Sequence, residues 1–73
     1  MKYIDEIMKD LPINITAVIG NLKQNYRYGT PQITRREAEH EIAGYLGGLY
    51  DCGVITAQER EALYEYCIGK YDD

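Results

Sequence analysis

With 73 residues, one histidine, two cysteines and a formal net charge of −4, the chain is read as one domain with too few ligands for a structural zinc site and too few cysteines for a dense disulfide framework. Its negative charge argues against binding nucleic acid or an anionic membrane over the whole surface, and no apolar run approaches the ~20 residues that span a bilayer. A chain this short buries only about 60% of the surface its unfolded form exposes, so oligomerisation or a partner is the expected source of extra stability.

The net figure hides an asymmetry: residues 1–22 carry −1, residues 23–36 carry +4 and residues 37–73 carry −7. In MKYIDEIMKD, acids fall inside what would be the apolar region of an export signal, so none is read there. Free thiols then make the cytoplasm the expected compartment.

Residues 1–11 place Tyr3, Ile4, Ile7, Met8 and Leu11 at helical spacing with charges between them, which predicts a short amphipathic helix. Pro12 should end it near Asp10, because a residue before proline avoids helical angles. Over 13–26, Ile15, Val18, Ile19, Leu22 and Tyr26 fit a second helix, with Pro12 tolerated in its first turn. The β-branched residues at 13–19 suit a strand equally well; a lone strand has no obvious partner in the chain, which favours the helix. Gly29 and Pro31 mark 27–33 as loop.

The phrase ITRRE at 33–37 returns as ITAQE at 55–59. In each, a threonine (Thr34, Thr56) stands three residues before a glutamate (Glu37, Glu59), which is the capping box that satisfies orphan N–H groups in a helix's first turn. Ile33 and Ile55 precede the two caps as hydrophobic staples. Between the signals, Ala38, Ile42, Tyr45, Leu46 and Leu49 form one apolar face, and Gly53 sits where helices end in a left-handed turn. After the second signal, Leu63, Cys67 and Tyr71 form a stripe widened by Tyr64 and Ile68. These features predict an all-α fold of three or four short helices, ending over 34–70 in an antiparallel hairpin of helices at 34–52 and 56–70.

Glu37, His40 and Glu41 lie near one another on a polar helix face, without the pocket or second polar shell that acid–base catalysis needs. No catalytic residue, cofactor or metal is expected. Cys52 and Cys67 should stay unpaired, since Cys67 falls roughly 15 Å along its helix from the turn, beyond the Cα separation of about 7 Å that a disulfide allows. Read as a DNA-binding helix-turn-helix, the second helix would present Glu59 and Glu61 to the phosphates, with Glu65 following, which repels DNA.

Three patches remain as interaction candidates. Lys23, Arg27, Arg35 and Arg36 interleave with Tyr26 and Tyr28, a pattern in which cations meet phosphates and tyrosines stack on bases; the plainer reading is an ordinary loop with Arg35 paired to Glu39. Arg35 and Arg36 stand at a helix N-terminus, where the dipole disfavours them by about a few tenths of a kcal/mol. Gly44, Gly47 and Gly48 lie within one helix at about 1 kcal/mol each relative to alanine, which calls for close backbone approach, either by the chain's own first helix or by another molecule. Eight tyrosines with no phenylalanine or tryptophan suit half-buried rims and binding surfaces; Tyr50 or Tyr66 is the expected exposed one, and both are interface candidates. The acidic side chains Glu37, Glu39, Glu41, Glu61 and Glu65 could dock on a basic groove.

The order Leu46, Leu49, Asp51, Gly53, Ile55, Thr56, Glu59 within LGGLYDCGVITAQE, about a fifth of the chain, resembles the L-x-x-L-x-D-x-G-x-I-T-x-x-E pattern of SHOCT-type (short C-terminal) modules. That resemblance implies a small helical unit that mediates oligomerisation or protein contacts. Size, acidity and the lack of catalytic residues also look like small phage or mobile-element proteins, including anti-CRISPR inhibitors, as a likeness of composition. The functional expectation is therefore a non-enzymatic module that binds a larger protein or self-associates. One variant is a nuclease inhibitor with an acidic, nucleic-acid-like face, and a less favoured alternative is a nucleic-acid accessory protein using the 23–36 segment.

Overall fold

The computed structural model describes residues 2–72 and is all-α. Four helices follow one another as α1 (Lys2–Lys9), α2 (Ile13–Tyr28), α3 (Arg35–Asp51) and α4 (Ala57–Cys67). Among the described residues there is no strand; Thr30 and Ile33 form one isolated bridge in the α2–α3 connection.

The 13–19 segment is helical throughout, with Pro12 as N-cap rather than in the first turn. Its carbonyl accepts from the Ile15 and Thr16 amides at 3.0 and 3.1 Å. Helical spacing prevails over β-branching because it turns Ile19 wholly into the core and sets Ile15, Leu22 and Tyr26 against it. Ile13, outside that stripe, is 85% exposed. Contrary to the loop expected over 27–33, Arg27 and Tyr28 form the last turn of α2. The stop is Gly29: its amide makes the last helical bond, to the Asn25 carbonyl at 2.9 Å, and its positive φ of 70° turns the following chain off the helix.

Both capping boxes are present. Thr34 Oγ1 accepts from the Glu37 amide at 3.2 Å, and Thr56 Oγ1 from the Glu59 amide at 3.1 Å. Each glutamate returns to its cap's amide, at 3.5 Å for Glu37 and 2.8 Å for Glu59. The helices also stop alike. After α3, Gly53 donates to the Tyr50 carbonyl and Val54 to that of Leu49; after α4, Gly69 donates to Tyr66 and Lys70 to Glu65. These are paired Schellman bonds, with φ of +77° at Gly53 and +82° at Gly69. The second helix therefore ends at Cys67 and not at 70, and Tyr71 leaves the expected stripe to lie exposed.

One core joins all four helices: Ile4 and Ile7 of α1, Ile19 of α2, Ile42 and Leu46 of α3, and Ala62, Leu63 and Cys67 of α4, closed by Ile55 from the turn. Ile55 is thus a core residue in its own right, beyond its place as a staple before the cap, while Ile33 is only half-buried. Tyr3, read as part of the α1 stripe, is exposed. α1 rests on α4, and α2, α3 and α4 pack pairwise.

Candidate functional site

The glycine positions depart from one expectation. A Cβ built on Gly44, Gly47 or Gly48 meets no heavy atom within 4 Å, leaving aside the helix's own backbone. The first helix does not approach them, because it packs on α4 instead. Gly44 and Gly48 are exposed, and with Glu41 and Asp51 they recur at i, i+3, i+7 and i+10 on the outer face of α3. That strip is acid, glycine, glycine, acid.

Beside it, Gly47 joins Ala43 and Leu46 to floor a groove of about 300 Å³ whose other wall is Arg60, Glu61 and Tyr64 of α4. The small side chains on α3 leave this space open. Burial, followed by the nearby Glu39 carboxylate and the Tyr26 hydroxyl, pushes the Tyr64 hydroxyl above its ordinary value. Tyr50 is exposed, with the Arg60 guanidinium 4.6 Å from its ring centre. Of the two tyrosines offered as alternatives, Tyr50 is thus the exposed one, and Tyr66 is half-buried: Lys23 Nζ lies 4.4 Å above its ring.

The acidic side chains do not form one surface. Glu39 turns towards α2 and accepts from the Tyr26 hydroxyl at 3.5 Å. Glu37 is engaged in its capping box. Glu65 accepts from Lys70 at 2.6 Å and from the Tyr71 hydroxyl at 2.9 Å. Those two hydrogen bonds hold its carboxyl below the ordinary carboxylate value. Glu41 and Glu61 are exposed on neighbouring helices.

The basic segment is also redistributed. Lys23 Nζ donates to the Tyr66 carbonyl at 2.8 Å and to both Asp72 oxygens at 3.1 Å. It thereby ties the end of α4 and the segment after it to α2. Arg27 reaches Asp72 at 3.6 Å and lies 5.5 Å from the Tyr28 ring centre. The Arg35 guanidinium, expected against Glu39, is instead 4.9 Å from the Tyr26 ring centre, so Tyr26 serves both the cation and the Glu39 carboxylate. Arg36 is exposed. Sequence reasoning passed over Asp72 and Gly69, both of which enter this cluster; the glycine two residues after Cys67 was the available signal.

Among the described residues, no three His, Cys, Asp or Glu side chains converge as metal ligands, and no helix is long and apolar enough to cross a membrane. His40 is exposed on α3. No protein-family model, curated protein or solved structure matches the chain.

Proposed function

We propose that this chain is a non-enzymatic protein-interaction module that docks the outer face of α3, with the adjoining α3–α4 groove, against a basic helix or ridge of a larger protein. The observation that carries this reading is the open space over Gly44, Gly47 and Gly48. Each glycine weakens the helix by about 1 kcal/mol relative to alanine, and nothing inside the fold makes use of the missing side chain. A partner backbone lying on Gly44 and Gly48 would use it. The SHOCT-like order of residues from Leu46 to Glu59 points towards the same class of role.

Charge selects between a foreign partner and a second copy. Glu41 and Asp51 bracket the glycines along the helix, so self-association across this strip would set carboxylate against carboxylate, which is unfavourable. A basic partner surface is complementary. That preference also accommodates an inhibitor that occupies the nucleic-acid groove of a nuclease, in keeping with the compositional likeness to small phage inhibitors.

The experiment is affinity capture with the unsubstituted chain and with Gly44→Leu/Gly48→Leu, alongside sedimentation velocity. The expected result is a monomer that captures a basic protein, with capture weakened by salt and lost in the double variant. Identical capture by the double variant, or a dimer that the double variant dissociates, would overturn this reading.

A further inference from the structure

We infer that the cleft between α2 and the segment after α4 is a phosphate-binding site, occupied in the free chain by the carboxylate of Asp72. This goes beyond the α3 face and does not depend on it. The cleft has a volume of about 210 Å³ and is lined by Lys23, Tyr26, Arg27, Arg35, Gly69 and Asp72 among others. Among the described residues, three cations therefore face one carboxylate.

The fit of Asp72 is partial. Lys23 meets both its oxygens at 3.1 Å, but Arg27 stands off at 3.6 Å, and Arg35 lies against the Tyr26 ring. Asp72 is carried on a short return after Gly69, where its amide donates to the Gly69 carbonyl at 3.0 Å. A Cβ on Gly69 would come within 3.2 Å of Asp72 Oδ2, so the carboxylate folds closely over that glycine. Partly exposed ion pairs of this kind hold weakly and are screened by salt. A phosphate group carries about −1.5 to −2 charges and three acceptor oxygens, enough to engage Lys23, Arg27 and Arg35 together.

The neighbouring hollow tells which phosphate. It has a volume of about 230 Å³, shares Lys23 and Arg27 with the first, and adds Gln24, Tyr28 and Tyr66. Tyr28 is 74% exposed, an aromatic face open beside the cations. A nucleotide matches both: phosphate in place of the Asp72 carboxylate, base against Tyr28. An acidic peptide would meet the cations but leave the aromatic face unused.

The test is calorimetric titration of pyrophosphate, AMP and a short oligothymidylate into the unsubstituted chain and Asp72→Asn. Asp72→Asn should bind pyrophosphate at least tenfold tighter, and adding Arg27→Ala and Arg35→Ala should abolish the gain. Tighter binding of AMP, lost in Tyr28→Ala, assigns the phosphate to a free nucleotide; tighter binding still of oligothymidylate assigns it to a strand. In the unsubstituted chain, saturating pyrophosphate should move the amide resonances of Gly69 and Asp72, a readout that needs no variant. The inference fails if Asp72→Asn gains nothing, if the gain survives loss of both arginines, if those resonances stay fixed, or if a polyglutamate peptide displaces Asp72 better than pyrophosphate.

Discussion

Cys67 lies in the core with 1% of its surface exposed, its thiol donating to the Ile19 carbonyl at 3.8 Å. Burial pushes that thiol up to about 11, against a smaller opposing influence from Lys23. A raised value means that the folded chain holds the proton longer than the unfolded chain. The thiol's contribution to stability is thus fully present below pH 9.0 and is lost as pH rises through about 11. Cys52 is exposed beside the α3–α4 turn. A thiol reagent at pH 8 should therefore titrate one cysteine per native chain promptly and the second only in denaturant, since the thiolate is the reacting species. Two prompt thiols in the native chain would contradict the placement of Cys67. Its burial was readable from helical spacing with Leu63. The role of Lys23 was not, because a lysine in a basic run gives no sign that it will cap a carbonyl 43 residues away.

At the scale of the element, α3 and α4 carry the same punctuation at both ends, a threonine–glutamate box at the start and a left-handed glycine after the stop. The start signals were legible because a capping box is local: four consecutive residues hold donor and acceptor alike. The stop of α4 was not read, because Tyr71 prolongs the apolar spacing past Gly69 and so conceals it. The surroundings of the α3 glycines were equally hidden; they depend on where α1 comes to rest, which no residue of α3 encodes. These two kinds of position predict opposite shifts in one measurement. Thr56→Ala removes the acceptor for the Glu59 amide and should cost about 1 kcal/mol. Gly44→Ala adds a methyl group into open space and should stabilise by about 0.5–1 kcal/mol. Urea denaturation should place the two midpoints on opposite sides of the parent. A destabilised Gly44→Ala would mean that the chain's own fold covers that face, removing the basis for docking there.

Over the whole molecule, the segment beyond Ile68 is fastened to the rest by ion pairs and polar contacts, whereas the four helices share an apolar core on which Ile68 still packs. Lys70 and Tyr71 fold back on Glu65, and Asp72 reaches across to Lys23 and Arg27. Such a division lets pH act on the segment while the core stays intact. The Glu65 carboxyl is held below its ordinary 4.5 by hydrogen bonds from Lys70 and Tyr71, so its contact is fully formed above that value and lost as pH falls through the depressed one. The Lys70 ammonium is held above its ordinary 10.5 by Glu65; its contribution is complete below 10.5 and lost as pH rises through the raised value. The fastening is thus complete across neutral pH and opens at both extremes. Because these groups face solvent, their loss should leave the stability of the core nearly unchanged. Hydrogen exchange followed by NMR should show the Lys70 and Asp72 amides, which donate to the Glu65 and Gly69 carbonyls, losing protection in acid while those of Ile42 and Leu63 keep theirs, and Glu65→Gln should loosen Lys70 and Tyr71 at neutral pH. Loss of protection at Leu63 and Lys70 at the same acid midpoint would instead show that the segment and the four helices unfold as one cooperative unit.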